Sequence, residues 1–193
     1  MSTFRDGPAT LEPDHLDAIV EQWSRERPDL DATPLGVIGR ICRLAPQLTD
    51  AQAATLRPLD LDAGEYDVLA SLRRSGTPYE TTPGELARAL LVTPGAIAQR
   101  LARLEDRGLV ERRHDNPDRR KVTVALTPSG RTLIDQAVPA HLATARRLLA
   151  PLDDHERQTL SDLLRRVLAS QESCALGGAE AALAGGVGDD DAP

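Results

Sequence analysis

Two threonine–proline pairs set eleven residues apart, Thr82-Pro83 and Thr93-Pro94, constrain this chain more than any other feature. Each marks a helix start. Thr82 and Glu85 have capping-box spacing, in which a hydroxyl and a carboxylate satisfy the free amides of a first turn, and Pro83 stands where a missing N–H costs nothing. The interval between the pairs leaves room for about two helical turns and a tight connection at residues 90–92. That is helix-turn-helix spacing. Gly108 ends the second helix as a left-handed cap. Residues 109–113 and 121–126 then read as strands, the second alternating Val122, Val124 and Leu126 with polar partners. Between them, residues 114–120 form a loop rich in Asp, Asn, Pro and Arg, the composition of a wing, and a further helix starts ahead of Gly130.

At about 100° per residue, Ile97, Leu101 and Leu104 of the second helix fall within about 60° of one another and form its buried stripe. Gly95, Ala96, Gln99 and Arg103 project from the other side, next to the helix-capping Thr93. Small residues there allow close approach, and Gln99 and Arg103 carry donors for base edges or phosphates. The alternative is an ordinary solvated helix face. Arg100 lies at the margin of the buried stripe and leans inward toward the scaffold.

The chain as a whole is acidic, with a net charge of -7. Residues 100–121 are the exception, with eight basic side chains against five acidic ones, a local +3 that leaves -10 for the remainder. An acidic body with one basic edge suits specific, salt-sensitive nucleic-acid binding and argues against a general coat.

Asp118, Arg120, Val124, Leu126, Thr127 and Gly130 match the pattern D-x-R-x-x-x-V-x-L-T-x-x-G. With it the chain resembles the MarR family of winged-helix transcriptional regulators, over residues 33–170. The resemblance implies a mainly α fold with a small β-hairpin wing, a winged helix-turn-helix flanked by N- and C-terminal dimerisation helices. It also implies that Arg120, shared with Arg119, enters a minor groove, where the narrow groove's negative potential favours the guanidinium. Asp118 would brace the wing.

The flanking segments carry wide apolar stripes at helical spacing: Leu35, Ile38, Ile41 and Cys42 before the reading unit, and Leu133 to Leu149 and Leu160 to Leu168 after it. Pro46 is expected to end or kink the first of these helices and Pro139 to bend the second. Their use would be packing against a second copy, so that a homodimer meets a palindromic double-stranded DNA operator with two recognition helices one turn apart. A monomer with its own helical cap is the alternative. The expected organisation is an N-terminal extension (1–32), a dimerisation helix (33–58), the winged helix-turn-helix (59–127), C-terminal dimerisation helices (128–170) and a disordered acidic tail (171–193).

Only four residues are aromatic (Phe4, Trp23, Tyr66 and Tyr79), so Leu, Val and Ala carry the core. No apolar run is long enough to span a membrane and no signal peptide opens the chain, so a cytoplasmic protein without a membrane partner is expected. No nucleophile–base pair, carboxylate constellation or cofactor loop marks an enzyme, and no cofactor is expected. His15, His114, His141 and His155 lack paired ligand spacing, so no metal site is expected either. Cys42 and Cys174 form no disulfide framework; Cys42 is a candidate oxidant sensor, with a buried structural thiol as the alternative.

Leu16, Ile19, Val20 and Trp23 make an amphipathic helix ending before Pro28. Residues 21–45 resemble the branch of the family that responds to urate or to other small anionic metabolites such as aconitate. By that resemblance Trp23, Asp67, Arg100 and Arg112 hold the effector. An anion would draw Arg100 from its resting partner, and the recognition helices would lose their spacing. The alternative is a structural Asp67–Arg100 pair with Trp23 in the core.

Overall fold

The computed structural model describes residues 12–113 and 122–184, with side chains through Gln171. The chain divides after Thr144 into two compact units. The first begins with α1 (His15–Glu26), whose N-cap Asp14 accepts from the Leu16 and Asp17 amides while Asp17 reaches back to the Asp14 N–H, a capping box. Leu16 and Val20 of α1 pack where Gly36 and Gly39 of α2 (Thr33–Leu56) leave room. Arg40 of α2 ties the two together, reaching Asp14 at 3.0 Å and Asp17 at 2.8 Å.

Of the two outcomes expected at Pro46, an end or a kink, the end does not occur: α2 continues through it to Leu56, close to the expected limit of residue 58. Pro46 removes a single amide, and the Ala- and Gln-rich residues 51–54 after it favour helix strongly enough to carry the segment on. Pro139 likewise lies inside a helix, α6 (Pro128–Leu148). A 3-10 turn (Arg57–Leu59) leads to α3 (Ala63–Arg74), opened by the Asp62/Glu65 capping box.

The expected reading unit follows as α4 (Pro83–Ala89), α5 (Pro94–Asp106), β2 (Val110–Arg113), β3 (Thr123–Leu126) and α6 (Pro128–Leu148). The Thr82/Glu85 box and the Thr93 cap both form. Gly108 takes the left-handed conformation at φ 66°. The sequence did not announce β1 (Glu80–Thr81), which pairs antiparallel with β3 and makes it the central strand, in the order β1-β3-β2. Ala125 is therefore buried along with Val124 and Leu126. The β2–β3 register sets Val110 against Leu126 and Arg113 against Thr123. Residues 114–121, the expected wing tip with Asp118, Arg119 and Arg120, lie outside the described residues.

Leu56, Leu69, Leu72, Leu86, Ile97, Leu101, Leu104, Val124 and Ile134 are essentially inaccessible and form one core across α2 to α6. The second unit contains the end of α6 and α7 (Asp154–Ala184), started by reciprocal Asp153–Glu156 hydrogen bonds of 2.8 Å. α7 continues through residues 171–184, in place of the expected disordered tail. Ala, Leu and Glu there have the propensity to outweigh Gly177 and Gly178; residues 185–193 lie outside the described range. α7 leaves Leu160, Leu163, Leu164, Val167 and Leu168 exposed, and α2 does the same with Leu35, Ile38 and Ile41.

Candidate functional site

α5 shows the face pattern its sequence predicts. Ile97, Leu101 and Leu104 are buried, and Thr93, Gly95 and Gln99 are exposed. The Thr93 hydroxyl accepts from the Ala96 N–H at 3.2 Å, which fixes the first turn. A Cβ on Gly95 would meet nothing within 4 Å, so this end of the helix is open to a close-fitting partner.

Arg103 departs from expectation. Its guanidinium turns toward α3, donating to Glu65 at 3.2 Å and to Asp62 at 3.0 Å. Arg103 sits about 120° around the helix from Ile97, so its long side chain reaches acids on the scaffold as easily as the open face. Arg107 joins the same cluster, donating to Glu65 at 3.0 Å and pairing with Asp60 at 3.3 Å. Glu65 is the centre of this arrangement, a buried carboxylate that caps α3 and holds Arg103 of α5 and Arg107 at its C-cap. The sequence signal that could have found it is the D-x-x-E capping box at Asp62 and Glu65.

Arg100 leans inward as its helical position predicts and is half-buried. Its guanidinium lies over Gly64 of α3, so close that an added Cβ would stand 2.5 Å from Nε. Asp67 is one turn further along α3. Arg100 and Asp67 make no direct ion pair, yet they sense each other: partial burial raises the Asp67 carboxyl pKa above its usual value, and the charges of Arg100, His141 and Arg74 oppose that rise. His141 of α6 stacks on Tyr66 of α3 with ring centroids 4.4 Å apart, and its buried Nδ1 has no hydrogen-bond partner among the described residues.

The other two expected effector residues are placed differently. Arg112 on β2 pairs with Glu105 at 3.1 Å, its partner being the end of α5 and not Asp67. Trp23 is 49% exposed on α1, which contradicts the alternative that it belongs to the core. The structure therefore sets Arg100 against Gly64 of α3, one turn from Asp67, with Trp23 exposed on α1 and Arg112 paired to Glu105.

A model described as MarR family matches residues 59–121. The transcriptional regulator PecS of Dickeya dadantii is 39% identical over 149 residues, covering 77% of this chain and 90% of its own length. The chain belongs to the MarR family. Solved MarR-family structures agree with that. A mutant MarR from E. coli complexed with operator DNA has 30% identity and a TM-score of 0.61, covering 76% of this chain and 97% of that one. BpsR of Bordetella bronchiseptica, whose DNA binding is regulated by 6-hydroxynicotinic acid, has 30% identity and a TM-score of 0.60, covering 67% and 91%. PecS is named as a transcriptional regulator, and the E. coli MarR is bound to operator DNA. No helix among the described residues is long and apolar enough to cross a membrane.

The MarR-type wing pattern acquires a physical reason at its C-terminal end. The Thr127 hydroxyl donates to the Gly108 carbonyl at 2.7 Å and accepts from the Gly130 N–H at 3.0 Å, so it caps α6 while tying it to the turn after α5. The Thr127 N–H donates to the Leu109 carbonyl at 3.1 Å. Gly130 passes directly against that carbonyl. On the other side of the wing base, Arg113 pairs with Glu80 at 3.1 Å and Glu111 at 2.7 Å. Cys42 is a free, exposed thiol, while the side chain of Cys174 lies outside those described.

The two tyrosines bracket this region and should titrate apart. A hydrogen bond from Thr77 and the charges of Arg131 and Arg73, whose guanidiniums lie 4.8 and 4.9 Å from the ring centroid, hold the Tyr79 phenol below its usual value. Burial and the charge of Asp67 push Tyr66 up. Phenolate absorption should thus rise in two steps on either side of about pH 10, and Tyr79→Phe should remove the lower one. A single step near pH 10 would contradict both assignments.

Proposed function

We propose that the chain is a dimeric, ligand-responsive transcriptional repressor. It would bind a palindromic operator through α5 and the wing, and a small urate-like or aconitate-like anion would release it. The observation that carries this reading is the division of α5: Thr93, Gly95, Ala96 and Gln99 stand on or beside its open side, while Arg100, one residue on, is turned against Gly64 and toward Asp67 on α3. One helix then offers both a groove-reading face and an anion-accessible guanidinium, so a ligand pulling on Arg100 acts on the reading surface directly. PecS and the operator-bound MarR support the DNA half by family membership, and the regulation of BpsR by 6-hydroxynicotinic acid supports a small organic acid as effector class. The exposed leucines of α2 and α7 supply apolar surface for a second copy. Arg120 and Arg119, braced by Asp118, would complete each half-site from the wing.

Footprinting on the DNA flanking the chain's own gene, followed by gel shifts on the protected fragment, tests the DNA half. Gln99→Ala and Arg120→Ala should each weaken binding about tenfold or more; undiminished affinity in both variants would overturn the assigned surface. The single tryptophan provides an independent readout for the effector half. Urate or aconitate should shift Trp23 emission and weaken operator binding, with Arg100→Ala abolishing both responses. Unchanged emission and affinity with both acids would remove the effector proposal and leave the DNA reading intact.

A further inference from the structure

Three helices of the DNA-reading unit end with a residue in the left-handed region, and they do not end alike. After α3 the position is Gly76 (φ 77°) and after α5 it is Gly108 (φ 66°); after α4, in the helix-turn-helix turn itself, it is Leu91 (φ 53°). The hydrogen bonding after α4 and α5 is the same. The Gly108 and Leu109 amides return to the Glu105 and Leu104 carbonyls at 2.8 and 2.9 Å, and the Leu91 and Val92 amides return to Arg88 and Ala87 at 3.3 and 3.1 Å. That is the Schellman arrangement, in which glycine is the ordinary occupant because a Cβ is strained there.

The other two non-glycine residues in this region have side chains that explain their presence. Asp60 pairs with Arg107, and Tyr79 is stacked between Arg73 and Arg131. Among the described residues Leu91 has no such explanation: it is 84% exposed, the most exposed of the large apolar residues described. Its side chain therefore adds strain and gains almost no burial in the free protein. Outliers of this kind point to a role met outside the chain.

Leu91 lies two residues ahead of Thr93, at the end of α5 where a recognition helix presents its first turn to DNA. We propose that Leu91 is an additional DNA-contacting residue, which buries its side chain on the apolar edge of the operator, a thymine methyl or deoxyribose, as α5 enters the groove. The inference rests on the DNA-binding reading above. The contact would add a preference that the polar Gln99 cannot supply, since the C5-methyl is the apolar mark of thymine in the major groove.

Four forms of the full chain, wild type, Leu91→Gly, Leu91→Asn and Leu91→Met, test this on the footprinted fragment. Glycine should raise Tm by about 2–4 °C through relief of strain while weakening operator binding about five- to tenfold. Asparagine, which tolerates the left-handed region but is polar, should weaken binding equally, and methionine should retain it. Replacing operator thymines with deoxyuracil, one half-site position at a time, separates the two surfaces. A loss with wild type that is absent with Leu91→Gly assigns a methyl, and no effect at any position assigns deoxyribose. Wild-type affinity in both the Gly and Asn variants overturns the proposal for Leu91 while the Gln99→Ala result still stands or falls by itself.

Discussion

Gly130→Ala should be the most damaging single-methyl change in the chain. An alanine Cβ at this position would run into the Leu109 carbonyl oxygen and stand 2.9 Å from its carbon. Neither partner can move cheaply. The carbonyl already accepts from the Thr127 N–H, and Leu109 itself is buried at the head of β2. On the other side, the Gly130 amide is held by the Thr127 hydroxyl that caps α6. Relief would require α6 to shift away from the wing base, breaking those bonds together, so the cost should reach about 3 kcal/mol or more. For a chain of this size that lowers Tm by about 6–12 °C. Thermal melts followed by circular dichroism measure it, with the exposed neighbour Ser129→Ala as the control expected to change little. A Gly130→Ala melt indistinguishable from wild type would show that the close approach is not needed.

The last letter of the wing pattern is thus readable as a motif but not as a mechanism, because the carbonyl that demands glycine comes from a residue twenty-one positions earlier. Local chemistry is legible throughout: the Thr82 and Thr93 caps, the Gly108 turn, the buried stripe of Ile97, Leu101 and Leu104, and the inward lean of Arg100 all follow from spacing alone. What escapes such reading depends on partners distant in sequence. β1 is two residues long and carries no alternation; it exists because β3 has a free edge to pair. Arg103 looks like a groove residue on a helical wheel, and only α3 reveals the carboxylates that take it. Pro46 and the glycines of the tail read as helix breakers, while the strong formers around them decide the outcome. The resemblance to the urate-responsive branch groups four residues, but the structure sets Arg100 against Gly64, one turn from Asp67, and gives Arg112 to Glu105.

Glu65→Ala should separate stability from specificity in a way no surface change would. The carboxylate accepts from the Asp62 amide at 3.2 Å, from Arg103 at 3.2 Å and from Arg107 at 3.0 Å. Its removal takes away half of the α3 capping box and the central anchor of the α3–α5 contact. Arg103 keeps Asp62 and Arg107 keeps Asp60, both partly in solvent, so the arginines are not stranded. The loss should then be about 2–3 kcal/mol, the scale of hydrogen bonds to charged groups, or a Tm lower by about 5–10 °C. On DNA the variant should behave in two opposite ways well below that Tm. Operator affinity should fall, because the direction of α5 is no longer fixed against α3. Affinity for unrelated duplex DNA should rise, because two guanidiniums gain freedom to find phosphates, and the slope of log K against log salt should steepen by about one to two units. Glu65→Gln, which keeps acceptors but not charge, should fall between. A melt and a specificity ratio both equal to wild type would mean that Arg103 and Arg107 are oriented without Glu65. A lower Tm with an unchanged specificity ratio would reduce its role to holding the fold.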